Sequence, residues 1–150
     1  MGQLIIPNEI FFSHIMEEIT AGNSVRIPSK GNSMLPFIKP TKDEIELSPL
    51  NENSISVGNI VLAKTADNGY VVHRIEKAEP LKITLRGDGN LTVRETCNAS
   101  SIFAEVTCIY RGNKVIKKTS IIWKFAKSCW FSSPLLRRIY LGIYRRIKRS

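Results

Sequence analysis

From Ser24 onward the chain divides into short runs rich in Val, Ile and Leu, over 24–28, 44–47, 60–64, 70–75, 82–86 and 103–110. Clusters of Gly, Pro, Asn and Asp separate them, and no helical run fits between them. Such runs can bury their apolar side chains only by pairing with one another, so the spacing predicts a mainly antiparallel β domain. Residues 8–19 differ: Ile, Phe and Met recur at helical spacing, Asn8 can cap the start, and Gly22 follows the end. A short amphipathic helix packed on the β body is expected there, with His14 on its solvent side.

A chain of 150 residues is long enough for one domain with a real core. Its 43% hydrophobic and 23% charged residues exclude a disordered chain. The net charge of +9 is unevenly placed. Residues 1–110 hold ten Lys or Arg against thirteen Asp or Glu, whereas residues 111–150 hold twelve basic residues and no acid. A mildly acidic body therefore carries a basic tail suited to an anionic surface.

Within that tail, Ile121, Ile122, Trp123, Phe125, Trp130, Phe131, Leu135 and further apolar residues alternate with Lys and Arg. Ser132-Ser133-Pro134 should break it into two helical pieces. Both tryptophans fall here, where aromatic rings and cations suit a membrane interface. Peripheral membrane contact through residues 119–150 is the expected partner interaction; a solvated helix pair on the body is the plainer alternative. No nucleic-acid motif is present, so nucleic acid is not an expected partner. No apolar stretch reaches the roughly 18 residues of a spanning helix. Residues 1–7 lack the pattern of a signal peptide. The expected location is cytoplasmic or peripheral on a membrane.

Cys97, Cys108 and Cys129 are widely spaced and suggest neither a metal pair nor a disulfide framework. No cofactor or metal is called for. The chemistry-bearing residues lie elsewhere, in three segments: Gly31-Asn32-Ser33-Met34-Leu35-Pro36-Phe37, Val71-Val72-His73-Arg74-Ile75 and Gly87-Asp88-Gly89-Asn90. A serine attacks a carbonyl at neutral pH only if a base removes its proton, and a histidine does so best when its other ring nitrogen is held by an acceptor. On an alternating strand His73 shares a face with Val71 and Ile75, while Val72 and Arg74 point the other way. Apolar neighbours favour the neutral imidazole, which can accept a proton. Read without further context, Ser33 is a loop serine, His73 a buried structural histidine and Asp88 a turn-holding aspartate. Arg74 and Arg86 are expected to be solvated or ion-paired, and Asn59 a turn residue.

The three segments in this order, with Gly58-Asn59-Ile60-Val61 between the first two, resemble the sequence boxes of the signal peptidase and LexA-like serine peptidase superfamily. The likeness runs from about Ser24 to Gly112. A histidine at position 73 resembles the endoplasmic-reticulum and archaeal type of signal peptidase, where bacterial and LexA-like members have lysine. The resemblance implies a compact antiparallel LexA/signal-peptidase-like β fold for the domain at 24–118; the residue pattern adds the N-terminal helix in 1–23 and a basic helical extension over 119–150. It implies a serine peptidase with catalytic residues Ser33, His73 and Asp88: nucleophile, general base and orienting carboxylate. Glu95 is an alternative third member, because histidine-type members often place a second acid in that neighbourhood. Gly31 stands where signal peptidases often have a serine, so backbone N–H groups near Ser33 would form the oxyanion hole. The implied substrate is an extended peptide or leader with small residues before the cut. Two other readings stay open: a non-catalytic membrane- or partner-binding module on a peptidase fold, and a LexA-like self-cleaving regulator.

Overall fold

The computed structural model describes residues 8–31, 33–67, 69–90, 92–130, 138–139, 142–143 and 145–146. Helix α1 (Asn8–Thr20) turns Ile15 and Ile19, one helical turn apart, into the core and leaves His14 exposed. Gly22 ends it in a left-handed conformation (φ 88°). The Gly22 N–H donates to the Ile19 carbonyl at 3.0 Å and the Asn23 N–H to that of Glu18 at 2.9 Å, so two otherwise orphaned carbonyls are satisfied.

Eight strands follow: β1 (Val25–Pro28), β2 (Asp43–Ser48), β3 (Ile60–Lys64), β4 (Tyr70–Ala78), β5 (Ile83–Arg86), β6 (Glu95–Cys97), β7 (Ile102–Arg111) and β8 (Lys114–Lys117). All belong to one sheet in the order β1-β2-β7-β3-β4-β5-β6. Every pairing is antiparallel. The mainly β expectation therefore holds. Strand β7 organises the sheet. It lies along β2 through most of its length, while its other edge pairs first with β3 and then, past Glu105, with β8. Along β3, Ile60 and Leu62 enter one buried cluster with Leu47, Val106 and Ile109, and Val61 and Ala63 enter a second with Ile75, Leu85 and Ile102. Both sides of the central strand are thus covered, which explains its unbroken run of apolar residues.

Helix α2 (Ile121–Trp130) begins the basic extension. Trp123 is only 1% exposed and meets the Phe37 ring edge-on, with centroids 5.1 Å apart. The expectation that both tryptophans lie at a membrane interface is therefore corrected for Trp123: its ring completes the core beside Phe37. The Trp130 side chain and the break expected at 132–134 lie outside the described residues. Among the described residues, no helix is long and apolar enough to cross a membrane.

Candidate active site

Ser33 follows β1 in a turn entered through Gly31, whose φ of 75° is a conformation that side chains with a Cβ rarely adopt. This turn is fastened from several directions. The Ser33 carbonyl accepts the Gly89 N–H at 2.7 Å. Met34 is buried, and its sulfur takes the Asp88 N–H at 3.4 Å. The Phe37 carbonyl accepts from Arg111 Nη2 at 2.9 Å, and Arg111 is itself paired with Asp43. The peptide between Leu35 and Pro36 is cis.

His73 sits on β4 and is 4% exposed. Its Nδ1 lies 2.9 Å from Glu95 Oε2. An ionised carboxylate can only accept, so opposite such a group Nδ1 is the donor, and in a neutral imidazole of that tautomer Nε2 carries the lone pair. Glu95 reaches this position as the first residue of β6, which is held on β5 by the Leu85–Glu95 pairing.

Ser33 and His73 open onto one cavity of about 400 Å³. Apolar side chains make up much of its wall, Phe11 from α1, Ile27 from β1, Ile45 from β2 and Val72 from β4 among them. Ser29 also lines it, but its hydroxyl is engaged by the carbonyls of Lys39 and Asp43, each at 2.9 Å. Among the described residues no hydrogen bond joins the Ser33 hydroxyl to the His73 ring; what the two share is the cavity.

Asp88 does not stand behind the imidazole, and this corrects the sequence-based assignment. Its carboxylate receives Arg74 Nε at 2.8 Å and Arg74 Nη2 at 2.7 Å, a bidentate pair with both residues at most 2% exposed. Arg74 Nη1 donates to the Gly58 carbonyl at 2.8 Å. The physical reason is strand alternation. Arg74 projects opposite to His73, and Asp88 arrives on the Arg74 side, where a buried guanidinium requires a counter-charge. Arg74 is thus ion-paired but buried. Arg86 is also buried, with Nε on the Asn90 carbonyl at 2.8 Å and Nη1 on Glu76 at 3.3 Å.

The glycines around Asp88 serve the same assembly. A Cβ on Gly87 would lie 2.3 Å from the Ser33 carbonyl oxygen, so only glycine lets the two turns approach this closely. Asn59, expected as a turn residue, donates its amide to the Asn53 and Ser54 carbonyls, each at 3.0 Å.

Arg94, next to Glu95 in sequence, is drawn to Glu76 at 2.6 and 3.2 Å. Burial pushes the Glu76 carboxyl up, but Arg94 and Arg86 together outweigh it and hold the group below its ordinary value of 4.5. Among the described residues, no group of three or more His, Cys, Asp or Glu side chains is placed to hold a metal ion.

Comparison with protein-family models, with curated proteins and with solved structures finds no match in any of the three.

Proposed function

We propose that the chain is a serine peptidase resembling signal peptidases, cleaving an extended peptide or leader with Ser33 as nucleophile, His73 as general base and Glu95 as the orienting carboxylate. The observation that carries this reading is His73, which lines the same cavity as Ser33 and whose Nδ1 lies 2.9 Å from the part-buried Glu95 carboxylate. A carboxylate on Nδ1 fixes the imidazole tautomer and stabilises the imidazolium formed when Nε2 takes a proton. The Ser33 oxygen then attacks the scissile carbonyl, and His73 returns the proton to the leaving amine. Water, activated by the same imidazole, releases the acyl group from Ser33. Main-chain N–H groups at the Ser33 turn would bind the oxyanion. Oγ and Nε2 would come within hydrogen-bond reach in the substrate complex, where catalytic hydrogen bonds tighten.

The test is covalent labelling with a fluorophosphonate, read by intact mass, beside hydrolysis of a peptide library. The wild-type chain is expected to label at Ser33, and Ser33→Ala to neither label nor cleave. Glu95→Gln should keep the fold and slow labelling by roughly 10³–10⁴-fold, through loss of the correct tautomer. Asp88→Asn should show its main effect on stability. Full cleavage by Ser33→Ala would sink the proposal. The lack of a Ser33–His73 hydrogen bond favours one rival, a binding module on a peptidase-like fold. That rival predicts a silent Ser33→Ala and no labelling of the wild-type chain.

A further inference from the structure

Helix α2 is apolar on two opposite sides, and the body covers only one. Residues advance by about 100° along a helix, so Ile121, Ile122 and Phe125 share an arc lying opposite Trp123. The inner side carries the buried Trp123 and the half-buried Lys127, whose stem crosses Gly58 and whose Nζ reaches Asn59 Oδ1 at 3.5 Å. On the outer arc Ile121, Ile122 and Phe125 are 85%, 63% and 68% exposed. Phe125 follows Ile121 by one turn, so the two form a ridge with Ile122 beside it. Lys124 flanks this ridge and is exposed, as are Lys114 and Lys117 on β8, the strand against which α2 packs. No acidic residue occurs anywhere in 111–150.

We infer that this outer arc of α2 is a docking surface for anionic phospholipid, with Ile121, Ile122 and Phe125 entering the acyl boundary and the neighbouring lysines meeting headgroup phosphates. Charge selects the occupant. A second copy would bring two acid-free basic segments face to face, at a repulsive cost. A nucleic acid would satisfy the lysines but leave Ile121 and Phe125 without an apolar partner. An anionic bilayer surface satisfies both. The inference narrows the broad expectation for residues 119–150 to one face of one helix. It is independent of peptide hydrolysis, because no residue lining the Ser33–His73 cavity takes part.

The experiment is co-sedimentation of the full chain with vesicles of phosphatidylcholine alone, or of phosphatidylcholine with phosphatidylserine as about a quarter of the lipid. The chain is expected to pellet with the second and far less with the first, and to be released by salt. Ile121→Ser combined with Phe125→Ser should lower partitioning on the order of a hundredfold. Lys124→Glu should lower it severalfold. These side chains face water, so unchanged circular dichroism and melting are expected of all variants. Three results would each overturn the inference. One is equal pelleting of the Ile121/Phe125 variant. Another is equal affinity for uncharged vesicles. The third is no vesicle binding, with those same substitutions abolishing either self-association in the ultracentrifuge or retention of an RNA or DNA probe.

Discussion

Asp88→Asn offers a sharp test of how the two carboxylates divide their work. The substitution leaves size almost unchanged and removes one charge from a pair in which Arg74 is 2% exposed and Asp88 1%. Two guanidinium hydrogen bonds, at 2.8 and 2.7 Å, end on the carboxylate. The amide that replaces it can accept on one side only, and its NH₂ faces another donor. Breaking a buried pair by removing one partner costs about 3–5 kcal/mol, because the remaining charge stays desolvated. Against a typical domain stability of about 5–15 kcal/mol, that is a third or more of the total. At about 2–4 °C per kcal/mol for a chain of this size, the melting midpoint should fall by roughly 6–20 °C. Urea titration followed by circular dichroism measures the loss directly. Arg74→Met combined with Asp88→Leu should recover part of it, since no charge is then stranded. Glu95→Gln, at a part-buried position, should cost no more than about 1–2 kcal/mol. If Asp88→Asn melts within 2 °C or so of the parent while Glu95→Gln unfolds the chain, the division of roles argued here is refuted.

Gly87→Ala places a methyl carbon 2.3 Å from the Ser33 carbonyl oxygen and 3.0 Å from its carbon, both backbone atoms that cannot rotate away. The turn must shift, at about 1–3 kcal/mol, and a displacement near 1 Å at the nucleophile should slow fluorophosphonate labelling by about 10²-fold. An unchanged labelling rate would show that the two turns are not coupled. For Glu76, the folded carboxyl lies below its unfolded value, so it contributes stability above the unfolded value and loses it as pH falls through the folded one. Glu76→Gln should therefore cost about 1 kcal/mol at neutral pH, given the half-exposed Arg94 partner, and the gap from the parent should close on acidification below pH 4.5. Denaturant melts at neutral and acidic pH check this; a gap that widens in acid would contradict the sign.

The strands most legible in the sequence are those whose residues must be apolar on both sides or alternate cleanly, such as Ile60–Lys64 and the Tyr70–Ile75 part of β4. The two strands that pattern did not reveal are the ones with little to bury. Glu95-Thr96-Cys97 is three residues long, and in Lys114–Lys117 only Ile116 is buried. Missing β6 had a consequence for the site, because this short strand carries Glu95 to His73. Alternation along β4 correctly separates His73 from Arg74. It cannot say which acid meets which cation, since that depends on where the 87–90 turn and β6 return in space. Trp123 was misread for a related reason: in an apolar, basic helix, composition does not say which side the body covers.

The arrangement suggests why a histidine and an arginine sit side by side on β4. His73 lines the cavity, and its backbone neighbour Arg74 is held in the bond with Asp88. Asp88 lies one residue from Gly89, whose N–H donates to the Ser33 carbonyl at 2.7 Å. The serine turn is therefore tied to the strand bearing the imidazole through two side chains and one backbone hydrogen bond, all held near the base itself. Arg74 is fixed in turn by the Gly58 carbonyl, and Gly58 N–H donates to the Ile75 carbonyl at 2.8 Å, which closes the loop on β4. A nucleophile on a turn gains little from a rigid sheet unless such a tie carries the rigidity across. If Ser33 is the nucleophile proposed above, the Arg74–Asp88 pair would supply position and the His73–Glu95 pair proton chemistry. Damage to the first should move the serine, and damage to the second should leave it in place without a base of the right tautomer.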